Sequence, residues 1–145
     1  MAITTAMCNS FKQELLGGVH DLDTDTIKIA LIKNSQSGTY NASTANYSTV
    51  TGNSDEATGT NYITGGNTLG SATIALSGST ATVDFADTTW SSATVSADGC
   101  IIYNSSQANK AIAVISFGGT KTSTNGDFVV QFPTADASNA IIRIA

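Results

Sequence analysis

The sequence predicts a mainly β protein: an antiparallel β-sandwich, jelly-roll or immunoglobulin-like, with one short N-terminal helix. Three observations lead there. A single amphipathic stripe is confined to residues 4–16, apolar and polar residues alternate in segment after segment beyond residue 26, and turn residues punctuate those segments at short intervals. At 145 residues the chain fits one domain, residues 1–145, large enough to bury a two-layer core.

The helix comes first. Met7, Phe11 and Leu15 recur at i, i+4 and i+8, with Cys8 and Leu16 beside them, while Lys12, Gln13 and Glu14 supply the wet side. Thr4 or Thr5 can cap its start, and the Gly17-Gly18 pair ends it. A helix this short is marginal alone, so it must dock on its own sheet or on a neighbour.

Strands follow. Thr26 to Lys33 places Ile27, Ile29 and Leu31 on one face and Lys28, Ala30 and Ile32 on the other. Residues 34–67 then read as a long polar loop, with Tyr40, Tyr47, Val50 and Tyr62-Ile63 marking brief strands within it; a loop of that length tends to carry function. Thr73 to Leu76 and Ala81 to Phe85 make a hairpin about Ser77-Gly78-Ser79. Gly99 to Tyr103 and Lys110 to Phe117 are apolar on both faces, which suits the middle of a sandwich or the underside of a partner. A turn at Thr124-Asn125-Gly126 leads into Phe128, Val130 and Phe132, Pro133 stops that strand, and Ala140 to Ala145 forms the last.

Composition narrows the partners. The formal charge is −5, and the six cations are scattered as Lys12, Lys28, Lys33, Lys110, Lys121 and Arg143, so no clustered basic surface for nucleic acid is expected. Only 12% of residues are charged, while roughly a third are Ser, Thr or Asn, well above ordinary usage. A hydroxyl- and amide-rich, weakly charged surface suits a subunit of an assembly, and a homo-oligomer is expected. No apolar run is long enough to span a bilayer, and Met1 to Ile3 lead into the helix without an export signal, so synthesis in the cytoplasm and no membrane partner are expected. Cys8 and Cys100 have no metal or redox spacing; a disulfide is geometrically open, but buried thiols are the expected state in that compartment.

No catalytic, cofactor-binding or metal-binding residue is assigned. His20, the only histidine, lies beside a helix end and is expected to cap it or to be solvated, and no Gly-x-Ser-x-Gly elbow accompanies it. Asp21, Asp23 and Asp25 alternate as at the start of a calcium loop, but its glycine and distal glutamate are missing, so they read as solvated carboxylates. Asp84 and Asp87 lack what glycosidase chemistry requires around an acid pair, and Gly65-Gly66 and Gly118-Gly119 are turn residues. Asn41, Asn46 and Asn104 each open an Asn-x-Ser triplet of the kind such a composition produces by chance. Trp90 is expected in the core or at a corner. Tyr40, Tyr47 and Tyr62 admit two readings, an adhesive surface or pins that hold the loop.

Two stretches carry a resemblance. The first is Thr5-Ala6-Met7-Cys8-Asn9-Ser10-Phe11-Lys12-Gln13-Glu14-Leu15-Leu16-Gly17-Gly18-Val19-His20-Asp21, followed by Thr26-Ile27-Lys28-Ile29-Ala30-Leu31. The second runs from Ile101-Ile102-Tyr103-Asn104 through Ala111-Ile112-Ala113-Val114, Phe117-Gly118-Gly119, Asn125-Gly126-Asp127-Phe128 and Gln131-Phe132-Pro133 to Ala140-Ile141-Ile142-Arg143-Ile144-Ala145. Together, over about half the chain, they resemble a family of small virion proteins of tailed phages, many of them marine, and of prophages. The resemblance implies no enzyme and no catalytic residues. It implies a virion component made in the bacterial host cytoplasm: a capsid decoration or cement protein on the major capsid protein, or else a tail, collar or fibre component. A free carbohydrate-binding module is the third class weighed.

Overall fold

The computed structural model describes residues 2–145 and contains two antiparallel sheets. The strands are β1 (Ala6–Met7), β2 (Ile27–Lys33), β3 (Asn67–Thr68), β4 (Thr73–Ser77), β5 (Thr80–Asp84), β6 (Thr88–Asn104), β7 (Lys110–Val130) and β8 (Ile142–Ile144). The larger sheet has the order β1-β7-β6-β2-β3 and the smaller β4-β5-β8. Helices α1 (Asn9–Leu16) and α2 (Ser48–Gly52) complete the set, with a 3-10 turn at Ser105–Gln107. A β-sandwich with a short N-terminal helix is therefore the architecture, α2 being an extra turn of helix in the middle of the chain.

The strands apolar on both faces occupy the centre. β2, β6 and β7 lie side by side, and Ile29, Leu31, Ile101, Ile102, Ile112 and Val114 are wholly buried. Their two faces need two covers. The smaller sheet contributes Val83 and Ile142 to the common core, Phe85 joins it just after β5, and Phe11 from α1 and Tyr40 and Val50 from the middle segment also take part.

β6 and β7 form one long ribbon rather than two hairpins. The expected turn at Thr124-Asn125-Gly126 lies inside β7, where Asn125 takes a positive φ of 49° and Gly126 pairs with Ala93. Register shifts between Trp90 and Ala93, Ala93 and Val95, and Ala97 and Gly99 absorb the extra residues and bend the ribbon. The bend brings Phe117 within 6.1 Å of Phe128, centroid to centroid. Trp90, in β6 and 3% exposed, packs edge-on to Phe128 within the core.

The helix starts later than its stripe predicts. Residues 4–8 do not coil: Ala6 and Met7 pair with Val114 and Ala113, so β7 takes their backbone as an edge strand. Cys8 then becomes the N-cap without a side-chain bond, and neither Thr4 nor Thr5 caps; Thr5 Oγ1 instead accepts from Ser116 N at 2.9 Å. Phe11 is buried, Met7 and Leu15 are half-buried, but Leu16 is 92% exposed and stands outside the core.

The middle segment is equally altered. Residues 34–67 are mostly irregular, yet Tyr40, Thr44, Val50, Asp55 and Ala57 are buried, so the segment is a packed cover rather than a projecting loop. Of the brief strands expected there, only Tyr40 makes a bridge, parallel to Ile3; Val50 lies in α2, Tyr47 is the N-cap just before that helix, and Ile63 is exposed. Gly66 lies so close to β2 that a Cβ would fall 1.8 Å from the Ile29 carbonyl oxygen, at a φ of +73°, which fixes glycine where the segment rejoins the sheet.

Candidate functional site

Residues able to do chemistry gather in two buried clusters. The first lies at the end of α1. His20 is buried, not solvated and not a cap, because the chain after Gly18 folds its ring against Phe11, with centroids 5.0 Å apart. Its Nδ1 accepts from Asn104 Nδ2 at 3.0 Å, which leaves the ring proton on Nε2, 3.3 Å from Glu14 Oε2. The same Asn104 nitrogen donates to Asp25 Oδ2 at 2.7 Å, and Lys110 Nζ lies 3.2 Å from Glu14 Oε2. Burial pushes the imidazole below its ordinary 6.5, against the opposing pull of the Glu14 carboxylate.

This row of acid, imidazole, amide and acid ties α1 to the β6–β7 corner. The hydroxyls beside it are occupied: Ser106 Oγ accepts from Thr26 N, and Ser105 Oγ donates to the Thr26 carbonyl. Of the three alternating aspartates, Asp25 is held by Asn104, which lowers its pKa, and by the Asp21 backbone N–H, while Asp21 and Asp23 are exposed. Among the described residues no three His, Cys, Asp or Glu side chains converge as metal ligands.

The second cluster is built on Asp55 and Glu56, neighbours whose side chains turn to opposite sides. Asp55 accepts from Tyr40 Oη at 2.6 Å, from the Gly38 and Ser37 backbone N–H groups at 2.7 and 3.0 Å, and faces Lys33 Nζ at 3.5 Å. Burial alone would raise its pKa, but these donors outweigh it and hold the carboxyl down at about 2. Glu56 accepts from Tyr47 Oη, from Tyr62 Oη at 2.8 Å and from Gly65 N at 2.7 Å. Tyr103 donates to the Gly65 carbonyl and stacks on Tyr47, centroids 4.4 Å apart.

Of the two readings of the tyrosines, the structure takes the second. Tyr40, Tyr47 and Tyr62 pin the 34–67 segment through two carboxylates, and burial raises the pKa of each phenol, Tyr40 to about 12. Sequence reasoning missed Asp55 and Glu56 as the organisers, although a lone acidic pair within a tyrosine-rich, otherwise uncharged stretch was a signal available to it.

The remaining candidates are dispersed. Asp87 accepts from Phe132 N, Asp84 lies on β5, and Cys8 and Cys100 are separate buried thiols, both raised by burial. Asn104 is buried, and Asn41 and Asn46 accept from the backbone N–H two residues on.

What the surface offers is apolar. Of the six large hydrophobic side chains left exposed among the described residues, Leu16, Ile74, Leu76 and Ile144 belong to α1 and to the smaller sheet. A groove of about 670 Å³ runs between α1 and β8, with Met7, Leu15 and Leu16 on one side, Ile141 and Ile144 on the other, and Lys12 and Arg143 in its lining. A second groove of about 330 Å³ shares Leu15 and Ile144 and continues along the smaller sheet to Ile74. Patches of this kind mark contact surfaces more often than solvent-facing ones. Comparison with protein-family models, with curated proteins and with solved structures gives no match for this chain.

Proposed function

We propose that the chain is a structural subunit of a tailed-phage virion that decorates the outside of the head shell by docking on the major capsid protein. One observation carries this reading. The two stretches that resemble small virion proteins, one at each end of the chain, meet in space and form the two sides of the α1–β8 groove. The residues that give the resemblance are thus residues that meet at an uncovered apolar surface.

The physical case is one of area and number. A packaged head is pushed outward, and lattice seams are where its subunits part. A clip that covers a seam with a standard interface of about 1,600 Å² resists that parting at each copy. Many modest contacts add up without any one being tight. A groove with an apolar floor and two cations fits a seam lined by apolar and acidic side chains.

The test is an image of intact particles labelled with antibody to this chain. Label in a regular array over the head is the expected result. Label confined to the tail end, or particles free of the chain, would overturn the head-decoration reading.

A further inference from the structure

We propose that β4 is a self-association edge, along which two copies of the chain pair antiparallel about a two-fold axis at Ala75. The argument begins with the hairpin. β4 and β5 are joined by the two-residue turn Gly78-Ser79, with Gly78 at a φ of +62°, so the flanking pair Ser77–Thr80 is the narrow, hydrogen-bonded kind. Alternation then makes Ala75–Thr82 and Thr73–Asp84 the other bonded pairs. The N–H and C=O groups of Ile74 and Leu76 therefore point away from β5, and no strand lies beyond β4.

The other edges are blunted in ways that β4 is not. β1 and β3 are two residues long, and β8 has three residues with Arg143 at its centre. The stretches of β6 and β7 that β2 and β1 leave uncovered are broken by register shifts, and that of β7 carries Lys121 and Asp127. β4 has five residues, no charge, no proline and no bulge, which is the description of an edge open to pairing.

Its occupant is set by symmetry and by charge. With Ala75 opposite its own copy, Ile74 faces the mate's Leu76 as a bonded pair, and Leu76 faces the mate's Ile74. The outward groups of each strand then meet their complements. On the apolar face, side chains 53% and 75% exposed close on one another, while Thr73 meets the mate's Ser77 on the other face. A chain of net charge −5 repels its copies over most of its surface, but residues 57–83 carry no charged side chain. β4 and its turn are thus where like charge opposes a second copy least, the nearest charge in the hairpin being Asp84 at the far end of β5.

Sedimentation equilibrium of the purified chain over a concentration series tests this, with amide exchange as a second readout. The expected mass is twice 14.8 kDa, and the amides of Ile74 and Leu76 exchange slowly. Leu76→Lys should raise the dissociation constant about thirtyfold or more and free those two amides. The amides of Thr73 and Ala75, which face β5, should stay protected in both proteins and so report that the hairpin is intact. Ile74→Pro, which removes an outward N–H and no bond within the sheet, should act in the same direction. A monomer at every concentration, open-ended fibres, or dimerisation unmoved by either variant would overturn the two-fold edge. Since particles are not used, failure here is distinct from failure of the head-decoration reading.

Discussion

Asp55 shows how much a single side chain organises. A carboxylate with no exposed surface is costly unless its oxygens are filled, and here a phenol, two backbone N–H groups and a lysine fill them. Asp55→Asn removes the charge that those donors face and should cost about 3 kcal/mol of stability, read by urea unfolding with an unchanged slope. The low pKa also sets a pH dependence. Its folded value of about 2 lies below the ordinary 3.8, so this carboxylate stabilises the fold above that ordinary value and the contribution fades as pH falls toward 2. His20 has the same sign at higher pH: its folded pKa is lowered, so the unfolded chain takes up the proton first and stability falls as pH drops below about 6.5. Acid unfolding should therefore begin to draw on stability below neutrality, and His20→Gln should flatten the upper part of the curve while leaving the lower part in place. Neither residue was legible as a core residue in the sequence. Long-range partners such as Asn104, 84 positions from His20, decide burial, and hydrophobic pattern does not report them.

At the scale of elements, α1 separates two large apolar residues five positions apart, on different faces of the helix. Phe11 is wholly buried against β7, whereas Leu16 is almost fully exposed. Phe11→Ala should cost about 3–5 kcal/mol, and Phe11→Asp should unfold or detach the helix, both measured as loss of thermal stability. Leu16→Ser should leave the melting temperature within experimental scatter. The strands were the most legible elements, because β2 and the heart of β6 and β7 carry β-branched residues on both faces, which only a central position satisfies. The start of α1 was illegible for a reason of competition. Residues 4–7 have helical spacing with Phe11, but β7 offers their backbone a ladder at Ala113 and Val114, and pairing wins. The turn misread at Asn125-Gly126 has a related cause: a bulge and a turn use the same left-handed residues, and only the partner strand tells them apart.

For the whole molecule, the prediction concerns attachment rather than stability. If the α1–β8 groove is the docking face, Leu16→Asp should lower the number of copies retained on particles in a pull-down, while circular dichroism and melting stay as in the parent. Equal retention would show that the groove faces solvent in the particle. The class of fold was readable from periodicity, but the surface was not. Leu76 and Ile144 alternate in sequence as core residues do, and it is the short reach of a three-stranded sheet that leaves one end of its apolar face uncovered.

The groove has a consequence for timing. One of its sides belongs to the first strand and helix and the other to the last strand, residues separated by more than a hundred positions that are brought together only when β1 pairs with β7 and β8 with β5. Contacts so distant along the chain close late in folding, after loop-closure entropy has been overcome. A half-folded polypeptide therefore cannot present the complete groove. On the head-decoration reading, competence to dock is then a property of the completed molecule, because only that molecule has both walls of the groove.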